Sequence, residues 1–272
     1  MIKIGIMQGR LVKSEKKNFI QSFPWKNWKK EFRLAKKNKI KILEWTLDHH
    51  KFKKNPLIDI SKISLIKRLK KKYKIKIDSV TCDFYMQKPI TKAKSPWLKK
   101  KIYNNIYKLI LSCSKINIKY LVIPLVDNSS LSSRKEENQT VNFFLNFKDI
   151  LKKHKIKILF EIDCAPKNVL KFISKFNNCY GINYDSGNSA SMGYDINDEK
   201  IYFNKVYNIH IKDRIYNGPT VKLGHGDCNF QKLFKILKKI NYKKNLILQT
   251  AKTLKNREVE EILDNIKFVK SI

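Results

Sequence analysis

Residues 155–185 read KIKILFEIDCAPKNVLKFISKFNNCYGINYD. An apolar, β-rich run comes first, then a stretch with helical patterning, then a second apolar run that ends on an aspartate. Runs of this kind return eight times: IKIGIM from Ile2, KIKILEW from Lys39, KIKIDSV from Lys74, IKYLVIP from Ile118, KIKILFE from Lys155, YGINYD from Tyr180, KVYNIH from Lys205 and NLILQT from Asn245. Between most of them lie segments such as WKNWKKEFRLAKK, SPWLKKKIYNNIYKLILSCSK and FQKLFKILKKI. Their apolar residues stand three and four apart with lysines between, the spacing of a helix with one buried face. The stretch after Asp185 is irregular and predicts a short helix. Eight strand–helix units in 272 residues predict an α/β fold, a single (β/α)8 TIM barrel spanning residues 1–272, since about 250 residues is typical of that fold. A doubly wound sheet is the alternative, but MQGRL after the first run has one glycine where a dinucleotide site needs three. NPLIDISK from Asn55 and VDNSSLSSRKEENQT from Val126 read as long loops, the second a candidate lid.

The composition, 42% hydrophobic and 11% aromatic, is that of a globular protein. A net charge of +36 raises the question of a nucleic-acid partner. Only six of the 59 basic residues are arginines, the side chain that reads phosphates and base edges by a planar fork. The lysines recur along the whole chain and form no tail or block, which argues against nucleic acid and for solvated helix faces. Five cysteines form no Cys-x-x-Cys pair, and their odd number argues against a secreted disulfide framework. No apolar run approaches a membrane span, and MIKIGIM is too short for a signal peptide. The expectation is a cytoplasmic protein without membrane attachment.

In a barrel of this kind chemistry gathers where the strands end, and those positions are polar here. The fifth run ends on Glu161, the sixth on Asp185, the seventh on His210 and the eighth on Gln249. Two carboxylates, an imidazole and an amide on four adjacent staves suit one divalent ion of intermediate hardness: Mn²⁺, Co²⁺, Zn²⁺ or Mg²⁺. Around them stand Gln8 and Arg10 after the first run, Glu44 and Trp45 at the end of the second, Asp127 and Asn128 after the fourth, Asn188 in DSGNS, and Lys212 and Arg214 in HIKDR. Aromatic faces, carboxylates and amides are what a polyhydroxylated ligand needs. Gln8, Arg10, Glu44, Asn188, Lys212 and Arg214 are the candidate substrate contacts, and GPTVKLGHGDCNF from Gly218 is a candidate sugar- or phosphate-contacting loop. His49 and His50 lie in a loop without a partner set, and His154 sits at a lysine-rich helix end.

IGIMQGRL, the strand-end residues Glu161, Asp185 and His210, DSGNS, HIKDR and GPTVKLGHGD together resemble the xylose-isomerase-like barrel superfamily of sugar and sugar-phosphate isomerases and epimerases. The similarity is greatest to the branch of ribulose-phosphate and tagatose 3-epimerases, over essentially the whole chain. It implies a metal held by Glu161, Asp185, His210 and the eighth-strand position, with two glutamates on opposite faces of the sugar exchanging its proton. It also implies a substrate contact at Arg214. This chain departs from the pattern in two places. Asn188 stands where epimerases commonly have histidine, and Gln249 replaces the second glutamate. An amide can ligate through its carbonyl oxygen but cannot act as a base.

The expected activity is therefore metal-dependent isomerisation or epimerisation of a sugar or sugar phosphate. Glu161 is the base, taking a proton beside a carbonyl held by the metal, and Asp163 or His225 is a candidate second acid. Dehydration begun by the same abstraction is a further outcome. Two readings from other classes compete: a non-catalytic sugar-binding barrel, and a nucleic-acid-binding or abasic-site endonuclease-like protein. The five histidines are too scattered for the three-metal cluster such endonucleases use.

Overall fold

The computed structural model describes residues 3–15, 21–253 and 256–272. All eight expected strands form: β1 (Lys3–Met7), β2 (Leu43–Thr46), β3 (Ser79–Thr81), β4 (Tyr120–Leu125), β5 (Lys157–Ile162), β6 (Tyr180–Asp185), β7 (Val206–Ile211) and, after a short antiparallel ribbon of β8 (Asp213–Arg214) and β9 (Thr220–Val221), β10 (Asn245–Leu248). Ile2, where the first run was expected to begin, lies outside the described residues. The eight long strands pair in parallel and close in the order β1-β10-β7-β6-β5-β4-β3-β2. Closure leaves no unpaired edge among them.

Alternation along each strand sorts the side chains into two sets. Phe160 of β5 and Tyr180 of β6 join an outer core with Phe144 and Phe172 of the helices. The other set faces the barrel axis. At the level of Gly5, a Cβ would come within 2.7 Å of Ile42 and 2.9 Å of Ile247, so only glycine fits there. Above this layer the inward residues become polar, and they form the site.

Helices cover the barrel with their apolar stripes. Trp28–Lys37 buries Trp28, Glu31, Phe32 and Ala35 and turns its lysines outward. Pro96–Ile116 is capped by Ser95, whose Oγ accepts from the Leu98 N–H. Its C-terminus closes on Asn117 in the left-handed region, at φ 61°. Lys74 and Lys155, both at φ 54°, close two other helices, a position glycine usually takes. A chain with eight glycines thus spends lysine where a long polar side chain can point to solvent.

The candidate lid is a correction. Only Asp127–Ser129, a single 3-10 turn, and the few residues after it are loop, because Arg134–Leu145 is helical. Ser133 and Glu136 supply the reason: the Glu136 N–H donates to Ser133 Oγ, and Ser132 donates to the Glu136 carboxylate. This is the start signal of a capping box, and it stands inside the stretch read as loop. Asp59 similarly starts a short turn before the helix Ile63–Tyr73. The helix after Asp185 is short as expected, Ser186–Met192, and Gly193 ends it at φ 70°. Among the described residues no helix is long and apolar enough to cross a membrane.

Candidate active site

His210 of β7 organises the barrel interior. Its Nε2 lies 2.7 Å from Glu44 Oε1, both side chains being wholly buried. Glu44 also accepts from Thr81 Oγ1 at 2.6 Å, Ser79 Oγ at 2.5 Å and Asn208 Nδ2 at 2.9 Å. Asn208 bridges to Asn183 Oδ1 at 2.8 Å, and Asn183 Nδ2 donates to Glu161 Oε2 at 2.8 Å. A continuous polar network therefore crosses the barrel from β2 to β5. Burial disfavours the imidazolium of His210, but the carboxylates of Glu44 and Glu161 outweigh it and push the ring up to about 10. Burial works against the Glu44 carboxylate too, yet His210, Ser79 and Thr81 hold it below its ordinary range.

With Nε2 committed to Glu44, His210 turns Nδ1 toward the other two acids, 3.1 Å from Glu161 Oε2 and 3.9 Å from Asp185 Oδ2. Glu161, Asp185 and His210 each offer a ligand atom, and the three atoms lie within 4.8 Å of one another on buried side chains. That spacing and donor set fit a divalent cation bound by oxygen and nitrogen. A carboxylate behind the distal ring nitrogen is the usual means of fixing a ligating histidine.

The rim belongs to the segments after β6 and β7. Asp185 Oδ1 accepts from the Asn188 N–H at 2.8 Å, capping the short helix. Its Oδ2 lies 2.9 Å from Lys212 Nζ as an ion pair, outside hydrogen-bond geometry. Asn188 Nδ2 donates to Glu161 Oε1 at 2.8 Å, while Asn188 Oδ1 accepts from Lys212 Nζ at 3.0 Å and Arg214 Nη1 at 3.3 Å. Arg214 is further held by Gly218 O. Asp213 pins the following loop by accepting from the backbone N–H groups of Gly224, Gly226 and Cys228. Glu161, Asn188, Lys212 and Arg214 share a cavity of about 500 Å³, and Pro219 and Thr220 of the glycine-marked loop also line it. Another part of its wall carries Gln249, Gln21 and Asp83.

Not every expected contact reaches this cavity. Glu44 is corrected from a substrate contact to the buried support of His210, with both oxygens engaged and no exposure. Gln8 and Arg10 are buried and lie off the cavity wall: Gln8 Oε1 accepts from the Thr46 N–H, and Arg10 Nε donates to Thr250 O. Trp45 packs among Phe23 and Trp28 with Nε1 on Asn55. Asp163 accepts from Ser130 and His225 is exposed in its loop, so neither stands on the cavity wall. Sequence reasoning missed Ser79, Thr81 and Asp83, which alternate along one face, and Asn183 and Asn208, each two residues before an identified strand-end group. Period two could have found these five. For Gln21, on the segment between β1 and the first helix, no periodic signal exists.

A family model described as xylose isomerase-like TIM barrel matches residues 32–272. No curated protein sequence matches the chain significantly. Among solved structures, 3-keto-D-glucoside 4-epimerase YcjR from E. coli is 12% identical, with 100% of each chain covered and a TM-score of 0.74. The IOLI protein with a bound zinc atom is 15% identical over 99% of each chain, with a TM-score of 0.78. D-Allulose 3-epimerase from Methylomonas sp., in complex with D-allulose, is 14% identical over 99% of this chain and 96% of its own, with a TM-score of 0.74. At such identities the likeness is one of fold.

Proposed function

The chain belongs to the xylose isomerase-like TIM barrel family, and on that premise we propose that it is a divalent-metal-dependent isomerase or epimerase of a sugar or sugar phosphate. The observation that carries the proposal is the convergence of Glu161, Asp185 and His210 within 4.8 Å, with Glu161 also opening onto a cavity of about 500 Å³. Cavities of roughly 300–1,000 Å³ are usual for small-molecule ligands. Two of the structural neighbours are sugar epimerases by name, and another, the IOLI protein, holds zinc.

In this reading Glu161, Asp185, His210 and Gln249 hold the ion, Mn²⁺, Co²⁺, Zn²⁺ or Mg²⁺. Gln249 fits because its Oε1 is buried without a hydrogen-bond partner, while its Nε2 donates to Gln21 Oε1 at 2.7 Å. The amide is thereby oriented with its oxygen left over for a ligand. The ion, when bound, supplies positive charge that polarises a sugar carbonyl and acidifies the adjacent C–H. Glu161 is the base that takes that proton. Asn188 holds one Glu161 oxygen in place, and with Lys212 and Arg214 it meets the hydroxyl or phosphate groups of the substrate. Glu44 acts only through His210. Two carboxylates in place of three leave the ion less tightly held and a stronger Lewis acid.

The test is solvent exchange. Metal-loaded protein in D₂O should wash out a carbon-bound hydrogen from one of a panel of ketoses and their phosphates, followed by NMR. Glu161→Gln should slow this roughly 10²–10⁴-fold, the usual contribution of a general base. Exchange at the parental rate in that variant removes Glu161 from the role.

A further inference from the structure

One acid on the cavity wall has no part in the reading above. Asp83 follows β3 on the face of Ser79 and Thr81, is 5% exposed, and lines the same cavity as Glu161 and Gln249. Gln21 Nε2 donates to its Oδ2 at 2.6 Å, and Gln21 Oε1 accepts from Gln249 at 2.7 Å. Two amides thus tie this carboxyl to the position where the resemblance expects a second glutamate.

We propose that Asp83 is the second proton carrier of the cavity, delivering a proton to the face of the substrate carbon that Glu161 does not serve. The inference rests on the proposed function and sharpens it from isomerisation or epimerisation to epimerisation. Burial pushes the Asp83 carboxyl well above the usual carboxylate range. Asp48, from the segment after β2, and Glu161 push it the same way, against the Gln21 hydrogen bond and the charge on His210. A carboxyl kept protonated near neutral pH can donate.

The step balances. Glu161 takes the proton from the carbon beside the carbonyl, and the C–H electron pair moves into the carbon framework to give an enediolate. The enediolate then collapses by taking the Asp83 proton on its other face, forming a new C–H bond and regenerating the carbonyl. Glu161 ends protonated and Asp83 ionised; exchange of one proton from the first to the second through solvent in the cavity restores both. No oxidant or other co-reactant is required.

The experiment uses D-fructose, D-tagatose, D-allulose and their phosphates with metal-loaded parent and Asp83→Asn in D₂O. The parent should yield an epimer labelled at the inverted carbon. Asp83→Asn should still wash out the hydrogen, returning label to the starting sugar, while inverted product falls roughly 10²–10⁴-fold. Inversion at the parental rate in Asp83→Asn overturns the role of Asp83 and leaves Glu161 untouched. Loss of wash-out together with inversion also overturns it, as does a parent that isomerises without inverting. A parent that exchanges no sugar in the panel instead defeats the proposed function.

A second readout needs no substrate. In metal-free protein labelled with [¹³C]aspartate, the Asp83 carboxyl carbon should titrate well above the usual carboxylate range. The missing signal in Asp83→Asn assigns it, or in Asp83→Glu if the first variant does not fold. An Asp83 ionised throughout pH 5–7 refutes the proposal without any activity measurement.

Discussion

Replacing Gln249 by glutamate reverses one hydrogen bond and adds one charge, and both consequences can be followed through named partners. The Gln249 Nε2 donor faces Gln21 Oε1 at 2.7 Å; a carboxylate there sets acceptor against acceptor. An unmade buried contact of this kind costs about 1–3 kcal/mol. The Gln21 amide can relieve it by turning over, which presents its oxygen to Asp83 Oδ2, now 2.6 Å from the Gln21 nitrogen. A protonated Asp83 can donate to that oxygen. The metal-free variant must also accommodate a third carboxylate near Glu161 and Asp185, so it should lose about 1–3 kcal/mol, at roughly 2–4 °C in Tm for each. With Mn²⁺ bound the added charge is compensated, and affinity should rise about 10–100-fold, or 1.4–2.8 kcal/mol. Calorimetric titration with Mn²⁺ and thermal unfolding with and without the ion measure the two effects. In a Gln21→Ala background the unfolding penalty should shrink while the affinity gain persists, which separates the reversed contact from the charge. An unchanged Mn²⁺ affinity together with an unchanged metal-free Tm refutes the placement of Gln249 beside the ion.

The Glu44–His210 pair predicts a pH dependence in metal-free protein. His210 is raised to about 10 in the fold from roughly 6.5 when unfolded, so its contribution is fully present below about 6.5 and is lost as pH rises through 10. Glu44→Gln should flatten that decline in urea unfolding curves at pH 6, 8 and 10; an undiminished slope excludes the pair as its source. Glu199, buried beneath hydroxyls of Tyr184, Ser189 and Tyr202, is pushed up to about 7 by burial. A carboxyl raised in this direction stabilises below its unfolded value and loses that contribution as pH climbs through 7. Glu199→Gln should therefore be more stable than the parent at pH 8 by about 2–3 kcal/mol, with the advantage gone at pH 4. A variant no more stable than the parent at pH 8 contradicts this.

The fold was legible because barrel strands and covering helices leave periodic traces. β-Branched runs returned eight times, and lysine-flanked apolar stripes filled the intervals. Glu161, Asp185 and His210 were legible for the same reason: each is the polar residue at which an apolar run stops. The helix Arg134–Leu145 was missed although Ser133 and Glu136 announced its start, since a polar stretch reads as loop when its cap is overlooked.

What the chain determines locally is which residues face inward; what it leaves to tertiary structure is how high in the barrel each stands. Period two places Glu44 on the inner face as surely as Glu161. Strand tilt and stagger then set Glu44 beside His210 and off the cavity wall, where it holds the imidazole. The Gln249–Gln21–Asp83 chain spans sequence separations of 228 and 62 residues. No local pattern encodes those contacts, because they exist only once the barrel has closed and Gln21 stands on the cavity wall with Asp83 and Gln249. Burial, which raises Asp83 and leaves Gln249 Oε1 without a partner, is likewise a property of that closure, so period two could place Asp83 on the inner face while only the closed barrel could tie it to Gln249.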